Sequence, residues 1–309
     1  MNPTVSIIIV NYNTEELTLQ CIRSIYTHIS SYSFEIIVVD NNSQDNSVSS
    51  IQKNFPEVII IQNKENVGFG RANNIGMQIA KGKYFFLLNS DTIILNDIFS
   101  FFVPFMEKPE NETIGVIGAF LQDQKNSFIH SGGNFPSLWQ EIKTNWREFL
   151  IHTNLINPFR IIKHRLIGKP IIPQFPTDVI EVEYITGADM FIRREIYDTI
   201  GGFDPQFFLY YEETDWQYQM AKIGWKRVLI PGPKIIHLEG QSSKPKNIKS
   251  LSYMKISSLK FMKKNSGICS YLLLKINLLI IALLLFLLSR NYTISSKFSY
   301  IKAILKENY

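Results

Sequence analysis

Over residues 5–91 four apolar runs break off into asparagine or aspartate, and helix-forming segments lie between them. Val5–Val10 runs into Asn11-Tyr12-Asn13, and Phe34–Val39 into Asp40-Asn41-Asn42-Ser43. Val58–Gln62 runs into Asn63, and Tyr84–Leu88 into Asn89-Ser90-Asp91. Thr14–His28, Asn46–Asn54 and Gly70–Ala80 read as helices. Strands separated by helices demand right-handed βαβ units and a parallel sheet. The runs are nearly continuous rather than alternating, as strands covered on both faces require. In such a sheet the polar run ends fall on one edge, where open α/β sheets bind ligands. Asp40 and Asp91 therefore point toward a common crevice, and a carboxylate there can hold a hard divalent cation through oxygen. Taken singly, Asp91-Thr92 also suits a turn or helix cap.

Beyond Asn96 the pattern loosens. Thr113–Phe120 reads as a strand, whereas Gln122–Pro176, rich in Asn, Pro, Trp and basic residues, gives no clear element. Order returns at Glu181–Arg193, followed by a Gly201-Gly202 turn and a helix from Glu213 to Ile223. Arg227–Pro231 and Ile235–His237 read as short strands. Gln241–Asn247 reads as a linker, ahead of a basic helical segment and an apolar tail.

Several function classes drop out. The chain has 309 residues, 45% apolar and 19% charged, enough to bury a full core. Its net charge of +5 owes much to lysines between Lys244 and Lys264, a local basic segment rather than a nucleic-acid stripe. Cys21 and Cys269 have no metal-binding spacing and suit a reducing compartment without a disulfide frame. Val5–Val10 meets polar residues at once, so no signal peptide is expected. Asp40 ends the second strand, where an NAD-binding fold keeps its ribose acid. The first turn, Asn11-Tyr12-Asn13-Thr14-Glu15, nevertheless lacks the glycines that let a pyrophosphate approach. Gly68-Phe69-Gly70 comes two units too late, and no Walker-type loop occurs.

The ordered set resembles the family 2 glycosyltransferases. The matching pieces are Val5–Asn13, Ile37–Ser43, Asn66–Gly76 and Leu87–Thr92, then Gly187–Arg194, Gly201–Asp204, Tyr211–Trp216 and His237. Each is weak alone; their order and spacing over residues 4–240 are specific. The Asn89-Ser90-Asp91 form looks most like the rhamnosyltransferase-like branch that builds bacterial surface polysaccharides. The resemblance implies an α/β glycosyltransferase A fold, a single Rossmann-like domain with a mixed central sheet. Residues 1–95 would form the nucleotide-sugar half, 96–240 the acceptor half, and 241–309 a basic, apolar, membrane-associating tail.

It also implies an inverting transfer from a nucleotide diphosphate sugar, dTDP-rhamnose or a UDP-hexose, to a lipid-linked glycan. Asp91 matches the second acid of the family's metal motif, and Asn89 stands where the first would be. His237 matches a histidine that completes the shell of Mg²⁺ or Mn²⁺. Asn11, Tyr12, Asp40 and Asn42 would line the base and ribose pocket. Asn66, Gly68, Arg71 and Asn73 would meet the diphosphate and sugar. Gly187, Ala188 and Asp189 would lie on the acceptor side. An inverting transfer needs a base for the acceptor hydroxyl; Glu213 is the first choice and Glu212 the second. Glu213 replaces the usual aspartate of that pair. With Asn89 it leaves open a sugar-binding or assembly protein that kept the fold and lost catalysis. Read on spacing alone, Glu212-Glu213-Thr214-Asp215 is an acidic first helical turn that suits the helix dipole.

Ile268–Leu288 is apolar enough to enter a bilayer, although Lys275 and Asn277 interrupt it; a helix buried in a dimer or core is the other reading. The flanking lysines favour the cytoplasmic face of a membrane.

Overall fold

The computed structural model describes residues 2–153, 175–238, 248–289 and 293–307. The linker expected over 241–247 lies outside them, as do residues 154–174 of the unassigned stretch. The chain forms two compact units. The first gathers residues 1–135, 173–208 and 212–244, and the second 136–172, 209–211 and 245–309. The second unit thus joins residues 136–172 and 209–211 to the stretch from 245 onward.

In the first unit the strands are β1 Val5–Asn11, β2 Phe34–Asp40, β3 Ile59–Gln62, β4 Tyr84–Asn89, β5 Thr92–Ile94 and β6 Ile114–Ala119. They continue as β7 Gly132–Gly133, β8 Ile180–Val182, β9 Tyr184–Ile185, β10 Asp189–Arg193, β11 Lys226–Ile230 and β12 Ile235–His237. Eight of them make a sheet in the order β3-β2-β1-β4-β10-β6-β11-β8. The β3-β2-β1-β4 part is parallel, as the alternation requires. β10 then enters antiparallel between β4 and β6, which makes the sheet mixed. A separate ribbon pairs β5 with β12 antiparallel.

Alternate strand residues face opposite ways, and two apolar cores result. Ile7, Ile9, Val38, Tyr84 and Phe86 pack with Cys21, Ile22 and Ile25 of helix α1 (Glu15–His28) and with Ile51 of α2 (Ser47–Asn54). Ile8, Ile37, Val39, Phe85 and Leu87 pack with Ala72 and Met77 of α3 (Phe69–Ile79) on the other face. The first core also takes Phe99, Phe102 and Met106 from α4 (Phe99–Glu107), a helix that the sequence reading does not anticipate. Each fully buried side chain of this size contributes roughly 1.5–3 kcal/mol.

The second unit is helical. Its α5 (Leu138–His152) falls in the stretch without an assigned element. The reason is physical: its residues Glu141, Asn145 and Phe149 are all buried, so two polar side chains interrupt the apolar stripe that betrays a helix. The first unit adds α6 (Arg194–Ile200) and α7 (Glu212–Lys222). The second continues with α8 (Ile248–Leu288), broken at Gly267, and α9 (Ile294–Lys306). Gly267 has φ 84° and ψ 173°, a conformation that glycine alone adopts readily. It separates a basic helix, 248–266, from an apolar one, 268–288. Within this unit Lys255 Nζ pairs with Glu148 Oε2 at 2.7 Å, and Ser257 Oγ donates to the Leu209 carbonyl at 3.0 Å.

Candidate active site

Strand register lines up the polar ends. Asn11 lies opposite Asp40, and Val10 opposite Asn89. Asn11 is wholly buried and spends its amide on its neighbours. Its Nδ2 donates to Asp40 Oδ1 (2.7 Å) and Ser43 Oγ (2.9 Å), and its Oδ1 accepts from Thr14 and Thr18 hydroxyls (2.8 and 2.7 Å). It therefore holds Asp40 rather than opening toward a ligand. Asp40 takes a second bond from the Ser43 amide at 3.0 Å, so both carboxylate oxygens are fixed. Tyr12 remains 46% exposed beside it. Asn42 is exposed with φ 66°, a left-handed conformation that asparagine tolerates better than most residues.

Asn41, absent from the expected set, binds the next loop together. Its Nδ2 donates to Asn66 Oδ1 and the Gly68 carbonyl, both at 3.2 Å. Its Oδ1 accepts from Asn63 Nδ2 (2.9 Å) and the Val67 amide (3.3 Å). No sequence signal separates Asn41 from Asn42, because strand alternation ends at Asp40. Gly68 has φ 91°, and a Cβ there would meet the Phe208 carbonyl oxygen at 2.3 Å. The neighbouring Phe69 amide donates to that same carbonyl at 3.0 Å. Only a glycine permits this approach. Arg71 is exposed, and its Nε donates to the Pro205 carbonyl at 2.9 Å. Asn73 is buried and donates to the Phe69 carbonyl at 3.1 Å. Asn74, also not anticipated, clamps the Gly201-Gly202-Phe203 turn through both backbone groups of Phe203.

At the end of β4 the side chain of Asp91 lies 3.3 Å from His237, Oδ1 to Nε2. The β5–β12 ribbon causes this meeting: Thr92 is opposite His237, and the Leu238 amide donates to the Asp91 carbonyl at 2.9 Å. Asn89 is half-buried next to it, its amide donating to the Ala188 carbonyl at 3.0 Å. Among the described residues no group of three or more His, Cys, Asp or Glu side chains converges. A carboxylate and an imidazole side by side are nonetheless ligand types that a divalent ion accepts.

The acidic turn opens α7. Glu212 is buried; its Cβ lies 3.2 Å from where a Cβ on Gly70 would be. The Glu213 Cβ lies 3.8 Å from the corresponding point on Gly187, whose other neighbour is the Phe69 ring. Burial pushes the Glu213 carboxyl above its ordinary range, partly offset by the amides of Glu213 and Thr214 at the helix start. Gln217, not anticipated either, ties α7 to β9 by bonding both backbone groups of Ile185 at 2.8 Å. Asp189 is fully buried. Its Oδ2 accepts from the Ala119 amide at 2.6 Å, its other oxygen has no partner among the described residues, and burial raises its pKa well above the usual carboxylate range. It opens β10 next to Ala188, itself buried.

The glycosyl transferase family 2 profile matches residues 6–169. The chain belongs to that family. Its mixed central sheet is the one that the sequence resemblance implies. An uncharacterised glycosyltransferase of Haemophilus influenzae is 34% identical over 123 residues, 39% of this chain and 37% of that protein. The N-acetylglucosaminyl-diphospho-decaprenol L-rhamnosyltransferase of Mycobacterium tuberculosis is 22% identical over 217 residues, 67% of each chain. The crystal structure of GalNAc-T7 with UDP, GalNAc and Mn²⁺ superposes with a TM-score of 0.57 at 16% identity, over 85% of this chain and 48% of that one. The shared architecture is the glycosyltransferase A fold.

Proposed function

We propose that the protein transfers a hexosyl group, with inversion, from a nucleotide diphosphate sugar to a lipid-linked glycan of a surface polysaccharide. The observation that carries this reading is the Asp91–His237 pair on the ligand-binding edge of the sheet. The donors that fit are dTDP-rhamnose and UDP-hexoses, in keeping with the rhamnosyltransferase relative. Asp40, fixed by Asn11 and Ser43, accepts hydrogen bonds from the base or ribose through its remaining lone pairs. Asp91 and His237 would hold Mg²⁺ or Mn²⁺, which offsets the negative charge developing on the departing diphosphate. The GalNAc-T7 structure with Mn²⁺ supports the choice of ion.

Glu213 is the base. Its carboxylate takes the proton of the acceptor hydroxyl as that oxygen bonds the anomeric carbon. The bond from the anomeric carbon to the diphosphate oxygen breaks, and its electron pair leaves with the nucleoside diphosphate. The raised carboxyl of Glu213 makes it a stronger base than an ordinary glutamate. The apolar helix 268–288 and its lysine flank support a reading in which the protein works at the cytoplasmic face of a membrane, where nucleotide sugars are available.

Thermal shift with nucleoside diphosphates, with and without Mn²⁺, tests the donor site, because ligands of the native state raise the melting temperature. Wild type should shift further with Mn²⁺ than without, and Asp91→Asn should lose that difference. The same substitution should lower turnover by at least about a hundredfold. Full wild-type turnover in EDTA would sink the metal assignment.

A further inference from the structure

The second unit presents an apolar surface of defined shape. On helix 268–288, Leu272, Ile276, Ile280, Leu283 and Leu287 recur at helical spacing and are 46–68% exposed. The same helix buries its opposite side. Leu278, Ile281 and Leu285 border a small crevice closed by Asn145 and Phe149 of α5 and by Lys255 of the basic helix. Asn145 Nδ2 also reaches Asn277 Oδ1 at 3.4 Å.

Helix α9 runs antiparallel along this helix. Tyr271 Oη and Lys275 Nζ both donate to the Glu307 carbonyl at one end (2.8 and 2.5 Å). Lys297 Nζ donates to the Ser289 and Phe286 carbonyls at the other (2.6 and 3.1 Å). The Phe286 and Phe298 rings meet at 5.0 Å. α9 has its own exposed apolar stripe, Ile294, Phe298 and Leu305. Beside it, about a quarter-turn round the helix, run exposed Ser295, Ser299, Lys302 and Lys306.

We propose that helix 268–288 and α9 form a raft that lies flat in one leaflet of an anionic bilayer and does not cross it. The inference rests on the membrane-associated reading above and fixes its topology. Crossing would carry α9 into the hydrocarbon, since it runs alongside from Lys275 to Ser289. With 13 residues α9 is shorter than the roughly 20 needed to span. Lys302, exposed in its second half, would then face lipid tails, where a charged side chain is costly. Crossing would also immerse the Lys255–Glu148 pair, because that layer covers the other side of the helix. Lying flat meets every constraint: both apolar stripes enter the acyl boundary, and Lys302 and Lys306 reach anionic headgroups.

The test uses the full chain with single nitroxide labels at residues 276, 283 and 298, on a Cys269→Ser background. Vesicles of phosphatidylcholine are compared with vesicles containing phosphatidylglycerol. The raft should bind the anionic vesicles at least about tenfold more tightly at low salt, and salt should reduce the gap. All three labels should report the same shallow depth, with no label near the bilayer centre. Ile276→Asp with Leu283→Asp, both at exposed positions, should keep the melting temperature and lose about a hundredfold or more in vesicle affinity. Graded depths with a maximum near residue 278 would overturn the flat topology while leaving membrane association intact. No vesicle binding, or a detergent-free dimer that hides these labels, would overturn both. Turnover on a soluble acceptor reports on the transfer reaction independently of either result.

Discussion

The sheet edge proposed for the donor and the acidic turn are built on opposite electrostatic plans. At that edge Asn11, Asn41, Ser43 and Asn66 satisfy one another and hold Asp40 by neutral amides and hydroxyls. At the acidic turn two carboxylates, Glu212 and Glu213, follow two residues with left-handed backbone, Tyr210 at φ 71° and Tyr211 at φ 69°. Such conformations cost of order 1–3 kcal/mol each outside glycine and persist where function demands them. One region has its polar groups satisfied, and the other holds left-handed backbone and a raised carboxyl. Binding wants preorganised acceptors, whereas proton transfer wants a base away from its resting value.

The comparison breaks most visibly through Glu213. Glu213→Gln should cut kcat by about 10²–10⁴ and leave donor affinity unchanged, because only proton removal is lost. Glu212→Gln should do less; the reverse ranking would move the base to Glu212. A base acts when deprotonated, so kcat of the wild type should rise with pH through a value above the ordinary glutamate range. That acidic limb should be missing from the Gln variant's profile.

A second, smaller effect separates rigidity from chemistry. Gly68→Ala drives a Cβ against the Phe208 carbonyl oxygen and strains φ. Stability should fall by at least about 2 kcal/mol, read as a lower denaturation midpoint. Asn41→Ala comes next. It leaves the Val67 amide and the Asn63 side chain without their bonds, and roughly 1–3 kcal/mol should be lost. Donor affinity should weaken in both while pH dependence stays the same; a shifted pH profile would erase the distinction between the regions.

The smallest effect concerns Asp189. Its folded pKa is raised, so the native state holds more protons than the unfolded one, and its contribution to stability falls as pH rises above the ordinary carboxyl range. Asp189→Asn should therefore raise the melting temperature at pH 8 and change it less at pH 4. Equal shifts at both would show that this carboxyl ionises normally.

The first four strands of the sheet were legible because they are continuous apolar runs, and their polar ends share one sheet edge. The resemblance carried Asp91 and His237 together, which spacing alone could not, since their meeting depends on a three-residue ribbon. The roles inside the edge were not legible. Asn11 and Asn42 look alike in sequence, yet one is spent internally and the other faces water. Helix α5 was hidden by Glu141 and Asn145, polar residues buried against their own unit: the Tyr211 hydroxyl donates to Glu141 at 2.6 Å. Burial also raises the Glu141 carboxyl. Local pattern records what faces water, not which polar groups have found partners.

The β5–β12 ribbon acts as a ruler that ignores chain length. His237 reaches Asp91 because Thr92, Ile93 and Ile94 count off against His237, Ile236 and Ile235, not because of the number of residues between them. Lengthening a flexible loop costs only about 0.6 kcal/mol per doubling. A one-residue slip in the ribbon would turn His237 to the opposite face. A loop outside the ribbon can therefore lengthen while Asp91 and His237 stay in register, and a deletion of one residue within the ribbon does more harm than an insertion of many in such a loop.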